Sequence, residues 1–164
     1  MPKMTDDTTL ARVHSMRDKF PDFQVDGILF SCMSSIRYLS GFTGSDGALV
    51  LGTDGAILLV DGRYTVQAVR EVRKIPVVQY SNKIQAIEQA VHDLGLKRIG
   101  FEASYVCVDT YQALTKRLRK SKLVPLGDEL RMLRACKDQH EIQIMKKTAA
   151  IASKALAVLS KEIR

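Results

Sequence analysis

The sequence has no apolar run approaching the ~20 residues of a membrane-spanning helix, so no segment reads as one. Its first residues, MPKMTDDTT, lack the apolar stretch of a secretory signal, and the expected location is the cytoplasm with no membrane partner. Cysteine is scarce: Cys32, Cys107 and Cys136 make an odd count with no C-x-x-C spacing, which excludes a disulfide framework and a structural zinc knot. Three free thiols suit a reducing compartment, and Cys32, just after the apolar run 28–30, reads as a small core residue. The three histidines, His14, His92 and His140, lie on separate predicted segments, and none has an i, i+4 partner of the helical zinc type. No metal site is therefore expected in this chain. Internal repeats and low-complexity segments are also missing.

What remains is 164 residues, 46% hydrophobic and 26% charged, enough for one ordinary domain with a real core. The net charge of +7 is unevenly spread. Residues 1–110 carry 12 basic and 13 acidic side chains, whereas residues 111–164 carry 13 basic and 5 acidic. The densest stretch is Lys116, Arg117, Arg119, Lys120 and Lys122. It could bind nucleic acid, but Tyr111, Leu114 and Leu118 give the segment an apolar stripe that turns the cations to water. No aromatic residue is interleaved with them to stack on bases. A solvated face or an acidic docking partner is the better reading, with no nucleic acid expected.

Periodicity organises the chain. Residues 5–20 read as an amphipathic helix with Leu10, Val13, Met16 and Phe20 on one face, stopped by Pro21. Residues 25–32 read as a buried strand, and residues 35–40 as a helical turn ended by Gly41. The apolar runs 47–51 and 56–60 flank Asp54-Gly55, the best hairpin signal in the sequence. Helix is expected over 62–74, with Tyr64, Ala68 and Val72 on one face. Strand follows over 75–80, helix over 83–94, strand over 98–101, helix over 110–119 and strand over 123–126. This alternation predicts an α/β fold: a mixed sheet of five to six strands with helices on both faces.

The last segment differs. Asp138 and Glu141 form a D-x-x-E capping pattern, which also explains the acids around His140 without a metal. Two apolar stripes follow: Ile142, Met145, Ala149, Ala152, Leu156, Leu159 and Ile163 beside Ile144, Ile151, Ala155 and Val158. At ~100° per residue they cover roughly 200° of the helix, about twice what a surface helix needs. Such a helix is expected to belong to a following domain, or to pair with its mate in a homodimer.

Local catalytic motifs are absent. The run 41–47 does not have G-x-S-x-G spacing around Ser45, and no lysine follows its glycines as in a phosphate-binding loop. Asp61-Gly62-Arg63-Tyr64 sits at a predicted strand end, where side chains often face a crevice. Arg63 could fork onto a carboxylate, or Asp61 could cap the helix while Arg63 pairs locally, and the local reading has the better odds.

Taken together, several segments resemble a known family. They are Arg37-Tyr38-Leu39-Ser40-Gly41-Phe42-Thr43-Gly44-Ser45-Asp46-Gly47, Val60-Asp61-Gly62-Arg63-Tyr64 with Gln67-Ala68, Ile99-Gly100-Phe101-Glu102 with Thr110-Tyr111-Gln112-Ala113-Leu114, and Leu130-Arg131-Met132-Leu133-Arg134 with Lys137, Glu141-Ile142 and Met145-Lys146. Their order and spacing are similar to the N-terminal, creatinase-type domain of Xaa-Pro aminopeptidases and prolidases. The Gly-Phe-Thr-Gly-Ser run favours aminopeptidase P. The resemblance implies a domain over 1–130, then a linker and the first helix of a pita-bread catalytic domain over 131–164. It implies no catalytic residue in this chain. Two divalent metal ions, usually manganese, belong to the catalytic domain, and only 27 residues follow Lys137. The implied partners are that catalytic domain, a second copy in a homodimer, and proline-containing peptides as the parent enzyme's substrates. Arg63, Tyr64, Tyr38 and Phe42 are the residues expected to line the substrate entrance. A stand-alone interaction module of the same fold and a prolidase N-terminal domain are the alternatives.

Overall fold

A computed structural model of the chain describes residues 6–132 and 134–163. They form two compact units, Met1–Arg131 and Met132–Arg164.

The first unit is built on a six-stranded sheet. Its elements are α1 (Asp6–Arg17), α2 (Phe20–Phe23), β1 (Gly27–Phe30), α3 (Met33–Ser40), β2 (Ala48–Gly52), β3 (Ala56–Asp61), α4 (Thr65–Glu71), β4 (Val77–Tyr80), α5 (Lys83–Asp93), β5 (Arg98–Glu102), α6 (Val108–Arg117), β6 (Lys122–Leu126) and the short α7 (Asp128–Met132). The strand order is β4-β3-β2-β1-β5-β6. β2 runs antiparallel to both neighbours, and the other pairs are parallel. This is the expected mixed α/β sheet, with the β2–β3 hairpin turning at Asp54-Gly55 as its sequence demands.

Burial explains why the central strands are apolar throughout. In β1 and β2 every residue is buried, because helices cover both faces of the sheet. Leu29, Ala48, Val50, Leu59, Ile99 and Phe101 face one way and pack with Ile87, Ala90 and Val91 of α5 and Leu114 of α6. The alternate residues Ile28, Phe30, Leu49, Leu51, Leu58 and Val60 are equally buried, and by the two-residue period they face the opposite side. On that side α3 packs on β1 and β2, with α1 laid against α3.

One boundary differs from the periodicity reading. The first helix ends at Arg17, before Pro21, and Pro21 instead stands second in the separate turn α2 (Phe20–Phe23). Proline in the first turn of a helix loses no intrahelical bond, so it fits a helix start as readily as a helix stop. Of the expected face, Val13, Met16 and Phe20 are each at most 4% exposed, whereas Leu10 is only half-buried and Thr9 and Arg12 are buried instead.

The second unit is dominated by α8 (Gln139–Glu162). Its start carries the expected capping box: Glu141 N–H donates to Asp138 Oδ1 at 2.8 Å, and Asp138 N–H donates to Glu141 Oε2 at 2.9 Å. No residue of α8 is buried. Met145, Ile151, Leu156, Val158, Leu159 and Ile163 are all more than half exposed.

Candidate functional site

Because five of the six strands run the same way, their carboxyl ends gather on one rim of the sheet. Loops at that rim are where open α/β sheets meet ligands. One of them is the run 41–47, which joins α3 to β2.

Its geometry begins with glycine. Gly41 ends α3 at φ 78°, a left-handed conformation that other residues adopt only with strain. Phe42 then turns inward and is fully buried, its ring edge-on to Tyr64 at 5.9 Å. A side chain at Gly44 would stand 2.2 Å from that ring, so only glycine lets the loop close over Phe42.

Side chains from later elements fasten the loop. At Thr43, the backbone N–H donates to Glu71 Oε2 at 2.8 Å and the hydroxyl to Glu71 Oε1 at 2.7 Å. Gln67 braces this pair by donating to Thr43 Oγ1 at 2.9 Å and to Glu71 Oε1 at 3.1 Å. Ser45 and Tyr64 share a hydroxyl–hydroxyl bond of 2.5 Å. Asp46 accepts from Tyr80 Oη and from Lys83 Nζ, both at 2.7 Å.

These contacts set the local charges. Partial burial pushes the Asp46 carboxyl up, but the Lys83 and Tyr80 hydrogen bonds and the Lys83 charge outweigh it and hold it below the usual aspartate range. Glu71 behaves alike: burial raises it, and Thr43, Gln67 and the Arg37 charge bring it below the usual glutamate range. Tyr80 is driven strongly upward by burial and by the adjacent Asp46, so it stays a hydrogen-bond donor.

Arg63 does not present an empty fork. Its Nη2 donates to Asp61 Oδ2 at 2.6 Å, Nε sits 3.1 and 3.2 Å from the two carboxylate oxygens, and its backbone N–H donates to Asp61 Oδ1 at 2.8 Å. The Arg63 hydrogen bonds outweigh slight desolvation and hold Asp61 below its ordinary value, while Arg63 is raised in return. The local-pair reading of this motif therefore describes the geometry. Its capping half does not: the residue before α4 is Tyr64, and no side chain caps that helix. The Arg63 side chain is still 72% exposed and lies over the Tyr64 ring at 5.3 Å.

Of the four expected entrance residues, the structure brings Phe42, Tyr64 and Arg63 together. Tyr38 is held from α1: the Arg12 guanidinium lies 4.1 Å over its ring, and Arg12 Nη1 donates to the Tyr38 carbonyl at 3.1 Å. Sequence reasoning did not single out Glu71, Tyr80 or Lys83. Their partners lie 28 to 37 positions away, beyond any local pattern.

A second polar cluster occupies the rim between β1 and β5. These strands are adjacent and parallel, and the helices that follow them lie on opposite faces. That is a topological switch point, where such sheets usually open a binding crevice. Here Glu102, only 5% exposed, fills it. Its carboxylate accepts Ser31 N–H at 2.8 Å, Cys32 N–H at 2.7 Å and the Ser35 hydroxyl at 2.5 Å. The protein's own anion thus fills the crevice between β1 and α3.

Elsewhere, Lys116, Arg117, Arg119, Lys120 and Lys122 are all exposed, and Arg117 pairs with Glu88 at 2.7 Å. An open groove of about 300 Å³ runs between β4 and α5, lined mainly by uncharged side chains such as Val78, Gln85 and Gln89. Among the described residues, no three His, Cys, Asp or Glu side chains are grouped to hold a metal ion, and no helix is long and apolar enough to cross a membrane.

Comparison with known proteins agrees with this architecture. The family described as the creatinase/prolidase N-terminal domain matches residues 12–136. An uncharacterized peptidase of Bacillus subtilis (strain 168), YqhT, is 32% identical over 145 residues, which are 88% of this chain and 41% of that protein. The Xaa-Pro dipeptidase from Bacillus anthracis superposes with a TM-score of 0.89 at 28% identity, over 95% of this chain and 44% of its own. The X-Pro aminopeptidase from Thermotoga maritima MSB8 gives 0.83 at 26% identity, over 93% of this chain and 44% of its own. The chain thus spans less than half the length of each of these relatives.

Proposed function

The chain belongs to the creatinase/prolidase N-terminal domain family, and we propose that it serves as the non-catalytic N-terminal part of a Xaa-Pro aminopeptidase. The observation that carries the N-terminal, non-catalytic part of this reading is the match to the Bacillus anthracis dipeptidase, which runs through 95% of this chain yet meets only 44% of that enzyme; the choice of aminopeptidase over dipeptidase rests on the Gly-Phe-Thr-Gly-Ser run at 41–45. On this reading residues 1–130 are the N-terminal domain, and residues 131–164 are a linker and the first helix of the catalytic domain. The exposed apolar stripes of α8 supply the surface on which that domain packs.

The metal ions of such peptidases do not fit the residues present here, since no cluster of ligating side chains exists among those described. Two divalent ions, manganese in the usual case, are assigned to the catalytic domain, and no step is routed through this chain. What the chain contributes is shape. The loop 41–47 and the Asp61–Arg63 corner border the entrance, with the buried Phe42 and the half-buried Tyr64 as its support and Arg63 at its exposed lip. Tyr38 on the preceding helix α3, held by Arg12 of α1, is the fourth residue of this proposed entrance. A fixed wall of this kind restricts access to short peptides with proline in the second position. A homodimer in the cytoplasm completes the proposal. The three free thiols are consistent with a reducing compartment.

The test is kinetic. The full-length protein, loaded with manganese, is assayed on a Xaa-Pro-Xaa tripeptide and on a Xaa-Pro dipeptide, beside the 164-residue chain alone. Turnover of the tripeptide by the full-length protein, with none by the chain, is expected. Cleavage of the dipeptide alone would favour the prolidase alternative, and turnover by the chain itself would refute the non-catalytic assignment.

A further inference from the structure

We propose that Glu71 is a positioning residue that fixes the loop 41–47 in the shape a peptide meets at the entrance; this rests on the peptidase reading above. Three observations carry it. First, one carboxylate takes both polar groups of Thr43 that can donate, its N–H at 2.8 Å and its hydroxyl at 2.7 Å. Charge-assisted bonds of this length are about twice as strong as neutral ones. Second, Glu71 is itself oriented: Gln67, one turn earlier on α4, donates to both Glu71 and Thr43. That brace leaves the carboxylate little rotational freedom, so ordering Thr43 costs little further entropy. Third, Thr43 stands between two anchored residues, the buried Phe42 and the Tyr64-bonded Ser45, but is itself exposed. Without Glu71, nothing in its own burial would hold the tip of the loop.

The arrangement differs from an ordinary surface pair. Exposed ion pairs join two flexible side chains and contribute little. Here the carboxylate grips a backbone amide, so its loss changes the path of the chain and not only a surface charge. The loop in turn carries Phe42 and Ser45, which contact Tyr64 beside Arg63. Glu71 touches no reacting atom and acts only through the loop.

The test has two arms. In the 164-residue chain, Glu71→Ala should speed amide hydrogen exchange at Thr43 by about tenfold or more, the loss of at least one charge-assisted bond. The amides of β2 should be unmoved, which shows that the fold survives. Glu71→Gln keeps one carbonyl acceptor and should restore most of the protection. In the full-length peptidase, Glu71→Ala should raise KM for a Xaa-Pro-Xaa tripeptide by about fivefold with kcat within about twofold. Glu71→Gln should fall between Ala and wild type, and Glu88→Gln, outside the site, should match wild type. Unchanged Thr43 exchange would overturn the clamp. Faster exchange with unmoved KM, or a fall in kcat alone, would overturn the positioning role. Wild-type protein inactive on every Xaa-Pro peptide would overturn the peptidase reading, and the proposal with it.

Discussion

Replacing Glu102 separates packing from hydrogen bonding at the centre of this fold. Glu102 is 5% exposed, and its carboxylate accepts three bonds of 2.5 to 2.8 Å, two of them from the consecutive backbone N–H groups of Ser31 and Cys32 just ahead of α3. Hydrogen bonds to a charged group contribute about 1.5–3 kcal/mol each, and buried donors left unpaired cost about 1–3 kcal/mol. These effects overlap, so they do not add. A loss of about 3–5 kcal/mol for Glu102→Ala is the expected size, as for breaking a buried charged contact. That is a large fraction of the ~5–15 kcal/mol that holds a domain of this kind together.

Two further substitutions make the argument refutable. Both backbone donors point at the same oxygen, Oε2. Glu102→Gln can place its carbonyl oxygen there, and the Ser35 hydroxyl can rotate to accept from the new amide. Only the charge is lost, which amounts to about 1–2 kcal/mol. Glu102→Leu has similar volume but no acceptor, so it should lose about as much as Ala. The assay is urea unfolding of the 164-residue chain, with the slope checked for constancy among variants. The expected order of stability is wild type, then Gln, then Leu and Ala together. A Leu variant as stable as Gln would show that Glu102 is mainly a filler, and the account of the switch point would fail.

Further perturbations bear on the loop and on the unit boundaries. Gly44→Ala should destabilise the chain by about 1–3 kcal/mol in the same assay, because the new Cβ would stand 2.2 Å from the buried Phe42 ring. Asp46 and Glu71 are both held below their ordinary range, so their contributions are fully present above the unfolded values near pH 4 and are lost only as pH falls through the lowered folded values. Amide exchange in the loop 41–47, corrected for intrinsic rate, should therefore stay flat from pH 7 to about pH 4.5 and rise below; an onset above pH 6 would contradict the assigned partners. A chain ending at Arg131 should keep a cooperative urea transition, since that residue closes the first compact unit. Lys116→Glu with Lys120→Glu should change stability by less than about 0.5 kcal/mol, and the wild-type chain should shift neither DNA nor RNA at low salt, because the basic run is a solvated face.

Legibility in the sequence followed the range of each interaction. The hairpin at Asp54-Gly55, the glycine that ends α3 and the capping box of α8 depend on residues within a few positions, and all three were readable. The alternation of strands and helices was readable for the same reason. Pro21 misled because the same ring serves the end of one helix and the start of the next. The short α7 was missed because its five residues hold too little periodicity to detect. Strand order and the Thr43–Glu71 and Ser31–Glu102 contacts are long-range, 28 and 71 positions apart for the contacts, and no local pattern encodes them. A glutamate closing the apolar strand Ile99-Gly100-Phe101 was the available signal for Glu102: a charge at the end of a buried strand needs a partner.

On the proposed reading, the two polar clusters of the rim fit a domain that acts by shape. At the switch point an α/β sheet normally leaves helix N–H groups open to a ligand. Here Glu102 takes the N–H groups of Ser31 and Cys32, just ahead of α3, and the Ser35 hydroxyl beside them, so the crevice is filled from within. Across the rim, over β2 to β4, the polar groups of the loop are also matched by the protein's own side chains: Thr43 by Glu71, Ser45 by Tyr64, Asp46 by Tyr80 and Lys83, and Arg63 by Asp61. A surface whose donors and acceptors are already satisfied binds a passing peptide weakly, because each new contact must displace an internal one. It is, for the same reason, well fixed in position. Weak attraction combined with fixed shape is what a wall beside another domain's chemistry requires. Loosening one internal match, as Glu71→Ala would do, should therefore affect which peptides enter before it affects how fast they react.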